Sequence, residues 1–480
     1  MAPGSCTIGA SPTEAPLAGP GAPLAATKST RLIQEPVSAD PQETSTHTPV
    51  TTLAPRREII SWAMFDFANS GYSTVVSTAV YNAYFVSHIA GGAGGFNSGT
   101  ATFLWTIAVG ISNALIVATA PILGAIADYS AAKKRLLAAT TIACIVCTAM
   151  LSLPAPGQVA LAMLLVICSN FTFGTGEDLI AAFLPEISPK ENMGRVSAFG
   201  WTVGYMGGLL VLALSLGYVS WAQRQGLPEH QFVSVTLLIV AAIFALAASP
   251  TFLWLRERAN PQKLPAGKNY VQVGFERFRE TLEHAHHFQD LFRFLLTLIA
   301  YSCGTSTVVV LAAVYAEQVM GFTTSETLML IILVNITAAI GAYAFGHIQD
   351  RLGSVPTLKI TLLIWVTATL LTAFTHSKAE FWLVANLFGI AMGSSQSAGR
   401  ALVGQFSPPE RSAEFFGLWG LSVKLASVVG PMTYGLIDYL TSGNHRIAIM
   451  STASFFVIGL LLLATVDEQR GKQAAQALSR

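Results

Sequence analysis

Charge is scarce in this 480-residue sequence: only 11% of the residues are Asp, Glu, Lys or Arg, while 52% are hydrophobic. Soluble domains carry about 25% charged residues, so a deficit of this size excludes an ordinary water-facing surface. It also excludes disorder over most of the length, because disordered chains combine low hydrophobicity with many charges. The formal net charge of +1 gives no reason to expect nucleic acid or another polyanion as a partner.

Several functional signatures are also missing. Four of the five cysteines lie in long apolar runs, where a free cysteine behaves as a small hydrophobe. No basic segment followed by an apolar one marks a secretory signal peptide. The absence of a phosphate-binding loop excludes an ATP-driven pump. The cluster His284-Ala-His286-His287 stands among charged residues without a cysteine or carboxylate at suitable spacing, so we expect neither a metal nor a cofactor.

Apolar runs dominate the sequence from Ile59 onward, and each is long enough to cross ~30 Å of hydrocarbon as a helix. They predict an all-α membrane protein with twelve transmembrane helices at 59–87, 102–127, 136–153, 158–186, 197–222, 231–254, 290–316, 323–346, 356–375, 380–405, 412–437 and 446–466. Residues 1–55 are rich in Ala, Pro, Ser, Thr and Gly without apolar periodicity, which predicts a disordered cytoplasmic tail.

The positions of the basic residues predict the orientation of these spans. If the N-terminus is cytoplasmic, 22 of the 27 Lys and Arg residues fall on the cytoplasmic side, three on the other side and two inside spans. Basic residues accumulate on the cytoplasmic side of membrane proteins. We therefore expect both termini to be cytoplasmic, with residues 468–480 as a second tail.

The sequence also repeats itself. The segment Gly71-Tyr-Ser-Thr-Val-Val76 recurs as Gly304-Thr-Ser-Thr-Val-Val309, and Ser188-Pro-Lys-Glu191 recurs as Ser407-Pro-Pro-Glu410. Six spans over 56–255, a basic connector over 256–289 and six similar spans over 290–467 are typical of a two-bundle transporter.

The connector itself has an amphipathic pattern. Its 270–289 stretch places Val271, Phe275, Phe278 and Leu282 at helical spacing, which predicts a helix lying along the membrane surface.

Several motifs carry a resemblance to a known family. Gly346-His-Ile-Gln-Asp350-Arg351-Leu-Gly353, with a looser copy from Gly124 to Asp128 that precedes Lys133, resembles the loop signature of the major facilitator superfamily. Within that superfamily, this chain resembles the vacuole-effluxer-like family, whose opening motif is similar to its segment Trp62-Ala-Met-Phe-Asp66-Phe-Ala-Asn69-Ser-Gly-Tyr72. Further matches to the same family are Phe183-Leu-Pro-Glu-Ile187, Gln396-x-x-x-Arg400, Pro408-Pro409, Glu414-Phe-Phe-Gly417, Lys424 and Gly430-Pro431.

The resemblance implies two six-helix bundles around a central cavity, and it suggests amino acids as substrates. The candidate substrate or coupling residues that follow are Asp66, Asn69, Tyr72, Glu177, Asp178, Gln396, Arg400 and Lys424. Two positions depart from the family pattern: Cys303 stands where an Asp is usual, and Ala181 where an Asn is usual. The missing carboxylate would fit a different coupling or a different substrate.

The loop motifs imply a cytoplasmic gate. In the superfamily the loop Asp contacts the N-terminus of a helix in the opposite bundle, where partial positive charge accumulates. The candidate gate residues are Gly124, Asp128, Lys133, Lys134, Arg135, Glu191, Arg195, Gly346, Asp350, Arg351 and Glu410. Among them, we expect Glu191 and Glu410 to pair with the basic loop residues.

Charged groups inside spans need a partner or a watery cavity. The resemblance brings Asp66, Glu177, Asp178 and Arg400 together, either as a structural ion-pair network or with Asp66 or Glu177 binding a proton. Arg400 would hold a substrate carboxylate or neutralise one of these acids. Lys424 is expected behind the cavity wall in a structural pair.

The leading hypothesis is a monomeric secondary transporter for a small polar or zwitterionic solute, working by alternating access with protons as a candidate coupling ion. The alternatives are an exporter of amphipathic compounds and a non-transporting receptor or scaffold with the same fold. An enzyme is not expected. The cell membrane is favoured, and a vacuole-like organelle is the other candidate.

Overall fold

The computed structural model describes residues 52–92, 94–262, 264–265, 267–283, 285–442 and 444–477. Residues 1–51 of the tail predicted at 1–55, residues 478–480, and His284 of the histidine cluster lie outside this range. The regular elements of the described part are all helical. Its α-helices are α1 (Arg56–Tyr72), α2 (Tyr81–Tyr84), α3 (Ser98–Ser130), α4 (Lys133–Met150), α5 (Val159–Ala181), α6 (Leu184–Ile187), α7 (Met193–Arg224), α8 (Glu229–Trp254), α9 (Tyr270–Glu283), α10 (Gln289–Gln318), α11 (Thr324–Leu352), α12 (Ser354–Phe374), α13 (Lys378–Phe406), α14 (Ser412–Leu440), α15 (His445–Leu463) and α16 (Glu468–Ala477).

Each predicted span coincides with helical structure to within a few residues. Nine helices of the described part are long and apolar enough to cross a membrane. The segments predicted at 59–87, 136–153 and 380–405 are helical without being among those nine, so the count of twelve spans stays a prediction. The first of them is irregular: α1 continues as π-helix over Ser73–Ala79 and, after α2, over Phe85–Gly92.

Local sequence signals explain where several helices begin and end. Thr323 and Ser377 each cap a helix start together with the glutamate three residues further on, which satisfies backbone N–H groups that have no partner within the helix. Gly353 separates α11 from α12 with a φ of 94°, a conformation that glycine adopts without a steric penalty.

The exterior is apolar as well as the interior. Large hydrophobic side chains such as Leu246, Leu383 and Met432 are each about 70% exposed on the helix surfaces. In water such a surface would be unstable, whereas in a bilayer it faces hydrocarbon. The apolar exterior and the long helices make the chain an integral, multi-pass membrane protein.

Helix packing joins the two sequence halves. α1 packs on α7 and α8, and α4 on α5, while α10 packs on α14 and α15, and α12 on α13 and α15. Contacts between the halves run through the pairs α3–α14, α7–α11, α7–α13 and α5–α14. We call the end of the molecule that carries α9, α16 and the loops α3–α4 and α11–α12 the connector end.

Candidate functional site

A cavity of about 430 Å³ lies between helices of the two sequence halves. Residues from α1 and its π-helical extension, from α5 and from α7 form one side. Helices α10, α11, α13 and α14 supply most of the other. Its polar lining includes Asn69, Ser70, Ser73, Thr74, Glu177, Tyr205, Gln396 and Lys424. Its apolar lining includes Phe173, Val308, Val309, Leu311, Leu330, Ile331, Phe381, Phe388 and Met392.

An ion pair lines this cavity. The Nζ atom of Lys424 is 3.4 Å from Oε2 of Glu177, and the two side chains are 15% and 27% exposed. The ring of Phe173 lies 5.7 Å from the same ammonium group. Lys424 therefore lies in the cavity wall and not behind it, which corrects the expectation from the sequence. The correction follows from the contact of α14 with α5, which a single sequence does not display.

A second ion pair lies outside the cavity lining. Arg400 donates from Nη1 to Oδ2 of Asp66 at 2.8 Å, and from Nε and Nη2 to the hydroxyl and carbonyl oxygens of Ser197 at 3.1 and 2.8 Å. The rings of Trp62 and Trp201 lie 4.7 and 5.2 Å from the guanidinium carbon. All of the donating nitrogens of Arg400 have an acceptor, so its charge is neutralised within the protein rather than presented to the cavity.

Asp178 differs from the other acids. It is 5% exposed, and neither carboxyl oxygen has a hydrogen-bond partner among the described residues. The side chain packs on the backbone of α14 at Gly420, where an added Cβ would lie 2.1 Å from Oδ1. The four groups expected together therefore separate: Asp66 pairs with Arg400, Glu177 pairs with Lys424, and Asp178 has no partner among the described residues.

Of the uncharged candidate residues, two line the cavity and one does not. Gln396 lines the cavity and accepts a hydrogen bond from the hydroxyl of Tyr205 at 2.5 Å. Asn69 lines it too, with an Oδ1 atom that has no partner in the described part. Tyr72 is outside the cavity lining: it is buried, its hydroxyl is 2.8 Å from that of Ser169, and it stacks on Phe173.

The first junction at the connector end is formed by Asp128, Lys133, Glu186, Ser412 and Glu414. Asp128 accepts a hydrogen bond of 2.9 Å from the backbone N–H of Glu414, in the first turn of α14. The ammonium of Lys133 lies 3.3 Å from Asp128, donates to Ser412 at 2.9 Å and pairs with Glu186. Burial alone would lower the pKa of Lys133, but the carboxylates of Glu186 and Asp128 together raise it.

The second junction is formed by Asp350, Gly194 and Arg195. Asp350 accepts from the backbone N–H of Arg195 at 3.3 Å and from its Nε at 2.7 Å, in the first turn of α7. In each junction an aspartate at the end of one helix thus meets the N-terminus of a helix from the other half, where unpaired N–H groups collect.

Glycines allow the helices to approach at both junctions. An added Cβ at Gly124 would lie 2.1 Å from the carbonyl oxygen of Ala413, and one at Gly346 would lie 2.2 Å from Cβ of Ala198. A larger residue at either position would push the helices apart.

The ion pairs expected for Glu191 and Glu410 are not formed among the described residues. Within the part of the chain described, neither Glu191 nor Glu410 has a basic nitrogen within 4 Å of its carboxylate. Both lie in single-turn 3₁₀ segments with at least partial exposure, where water solvates them. Instead, Glu257 accepts from the backbone N–H groups of Lys133 and Lys134.

The other basic gate candidates have weaker roles. Lys134 donates to the carbonyl oxygen of Leu255 at 2.6 Å. Arg135 and Arg351 are exposed. Glu186 and Glu414 also belong to the first junction, although the sequence analysis assigns them no role. The sequence feature that could have identified them is an acidic residue placed among apolar residues.

The connector helix α9 packs against both partners of the first junction. Gly274 lies against Ile126 of α3, and the hydroxyl of Thr281 donates to Glu414, which also accepts from Arg411 at 2.9 Å. The same helix exposes Val271 and Phe275 by more than half, so part of the predicted apolar stripe faces outward. Phe278 is half-buried, and the side chain of Leu282 lies outside the described structure.

Comparisons with known proteins agree with this architecture. A family model described as "Vacuole effluxer Atg22 like" matches residues 95–476. An uncharacterized MFS-type transporter, YxiO of Bacillus subtilis, is 28% identical over 418 residues, which cover 87% of this chain and 96% of the relative. Autophagy-related protein 22 of Kluyveromyces lactis is 24% identical over 66% of this chain and 69% of its own length.

Solved structures show the same fold. The human organic anion transporter MFSD10 superposes with a TM-score of 0.68 at 15% identity, over 85% of this chain and 99% of the other. The proton:xylose symporter XylE superposes with a TM-score of 0.62 at 14% identity, over 88% and 98%. Relatives and structural neighbours are transporters of the major facilitator superfamily and not enzymes. The chain therefore belongs to the Atg22-like vacuole effluxer family of the major facilitator superfamily, as a membrane transporter.

Proposed function

We propose that this transporter moves a zwitterionic small solute, amino acids among them, by alternating access, and that Glu177 and Lys424 recognise its two charged groups. The observation that carries the proposal is the ion pair in the cavity lining. At 3.4 Å its contact is longer than the 2.7–2.9 Å typical of a tight charge-assisted hydrogen bond. A zwitterion supplies a carboxylate for Lys424 and an ammonium for Glu177, so both charges stay paired when it binds.

The rest of the lining favours an apolar group on the same solute. The sides contributed by α10, α11 and α13 are mostly aliphatic and aromatic, whereas the α1 side carries hydroxyl and amide groups. A molecule with a zwitterionic head and an apolar side chain would match both sides. Burying that side chain would contribute roughly 25 cal/mol for each Å² removed from water.

Alternating access would use the two junctions. In this proposal the protein is a monomer with twelve spans in two six-helix bundles. Both termini and the connector end lie in the cytoplasm. The repeats, the basic loops and the helix contacts between halves support it. Closing the connector end requires both aspartates on their helix N-termini, and opening it requires both contacts to break. The cell membrane is the favoured location.

A second candidate is an exporter of amphipathic compounds, which the large apolar area of the lining favours. The two candidates differ in what they require of the ion pair. A zwitterion needs both charges, whereas a neutral amphiphile would bind without them.

Exchange in proteoliposomes tests the proposal. Labelled amino acids of a panel would be offered against the same unlabelled compound inside, for the unaltered protein and for Glu177→Gln and Lys424→Gln. We expect at least tenfold slower exchange of any transported member in both variants. Lys378→Gln is the matched control, since it removes the lysine of an exposed ion pair with Glu326 outside the cavity lining, and it should leave exchange unchanged.

The other outcomes separate the alternatives. Exchange that survives both cavity variants would contradict recognition by this pair and favour the amphiphile. Absence of flux for amino acids and for a panel of labelled amphiphiles would favour a receptor or scaffold.

A further inference from the structure

We propose that Asp178 is the proton-binding group of this transporter, and that Lys424 alternates between Glu177 and Asp178 as the proton leaves and returns. The proposal rests on the transport function given above and adds its coupling device. Of the three acids expected near the cavity, Asp66 and Glu177 are paired with cations, while Asp178 has no cation partner among the described residues.

The surroundings of Asp178 favour its neutral form. The charged groups that face it are Glu177 on its own helix and Lys424 on α14. The first repels a negative charge, and the second is engaged with Glu177. A buried carboxylate without a hydrogen bond or a counterion is costly, whereas the protonated acid carries no net charge. With Lys424 on Glu177, Asp178 therefore holds a proton.

The geometry also offers a second position for Lys424. Gly420, against which Asp178 packs, precedes Lys424 by four residues, so the two lie one above the other on the same face of α14. Glu177 and Asp178 are consecutive on α5. A lysine ammonium on a flexible four-carbon stem can turn between two neighbouring carboxylates without a backbone movement.

These positions couple the proton to the substrate. When the ammonium of a zwitterion pairs with Glu177, it releases Lys424, whose ammonium then donates both to the substrate carboxylate and to Asp178. The O–H bond of the Asp178 carboxyl breaks, its proton passes to water in the cavity, and the new carboxylate accepts a hydrogen bond from Lys424. Substrate and proton thus bind in competition, which gives exchange of one for the other across the membrane.

Infrared spectroscopy tests the proposal without a substrate. The C=O stretch of a protonated carboxylic acid is measured in proteoliposomes near neutral pH, for the unaltered protein and four variants. We expect an acid band in the unaltered protein and its loss in Asp178→Asn. The band should also be lost in Glu177→Gln, because Lys424 then moves to Asp178. Asp66→Asn and Lys424→Gln should both retain it.

Each of two variants tests one part of the proposal. An acid band that persists in Asp178→Asn would overturn the assignment of the proton to Asp178. A band that persists in Glu177→Gln would overturn the movement of Lys424, and this variant leaves Asp178 itself intact. Because no transported compound enters the measurement, failure of the zwitterion proposal in the exchange assay is distinguishable from failure here. Size-exclusion profiles identify any variant that does not fold.

Discussion

The two junctions at the connector end share one hydrogen-bonding arrangement but differ in how deeply their side chains are buried. In each, an aspartate accepts a hydrogen bond from a first-turn N–H of a helix in the other sequence half. At the first junction, Asp128 is 3% exposed and Lys133 is fully buried. At the second, the side chain of Arg195 is 47% exposed and that of Asp350 11%. The helix contact is therefore repeated, while the electrostatic environment is not.

The surface helices beside the junctions differ as well. Helix α9 is tied to the first junction itself, through Thr281 and Glu414. Helix α16 lies beside the second. Its Glu468 accepts from the N–H of Val355 at the start of α12, and its Arg470 makes two hydrogen bonds to Asp290. A backbone carbonyl of α16, that of Lys472, accepts from Lys190 in the other half.

The difference indicates that burial determines how strongly the stability of each junction depends on its charged side chains. Charges removed from water interact strongly and must all be compensated. Charges that remain in water are screened, and their pairs contribute about 0–1 kcal/mol. The first junction should therefore fail when one side chain is lost, and the second should tolerate the same loss.

Lys133→Met should have the largest effect. It leaves the carboxylates of Asp128 and Glu186 buried without their cation, and loss of one partner of a buried pair costs about 3–5 kcal/mol. Hydrogen exchange at the first turn of α14, which includes the N–H bound to Asp128, should accelerate by roughly a hundredfold or more. The double variant Lys133→Met with Glu186→Gln should recover part of this loss.

The control is Arg135→Ala, which removes an exposed positive charge from the same helix end. Exchange in Lys133→Met no faster than in this control would mean that the first junction does not depend on its buried cation. The comparison between the two junctions would then lose its physical basis.

Much of the fold could be predicted from the sequence, because hydropathy acts locally. Each apolar run became a helix within a few residues of its predicted bounds, as with 231–254 and α8. The family resemblance was equally accessible, and the family model confirms it. The local pattern did not reveal the π-helical course after Tyr72, since it has the same apolar content as a regular helix.

The pairing of the candidate site residues could not be predicted in the same way. Asp66 and Arg400 are 334 positions apart, and Glu177 and Lys424 are 247 apart, so their contacts depend on helix packing. Tyr72 was expected in the cavity and points instead into the protein, toward Ser169. The gating role of the junction residues stays a prediction.

Thr281→Val should have an intermediate effect, confined to the first junction. The substitution keeps the shape of the side chain and removes the hydroxyl that donates to Glu414, a bond to a charged group with a contribution of about 1.5–3 kcal/mol. We expect exchange across Tyr270–Glu283 to accelerate about tenfold, with α16 unchanged. Thr281→Ser retains the hydroxyl and is the matched control. Equal exchange in the two variants would show that the Thr281 hydroxyl does not hold α9 at the first junction.

Arg195→Ala should have the smallest effect. It removes an exposed partner of Asp350 but keeps the backbone N–H that the carboxylate accepts, so the loss should stay within about 1 kcal/mol. Exchange at the first turn of α7 should rise by no more than about fivefold, and the difference from the unaltered protein should vanish in roughly 1 M salt, where screening acts within about 3 Å. Arg351→Ala, which removes another exposed arginine near Asp350, serves as the control. A larger, salt-independent increase would mean that the second junction is as desolvated as the first, because only charges shielded from water keep their interaction at high ionic strength.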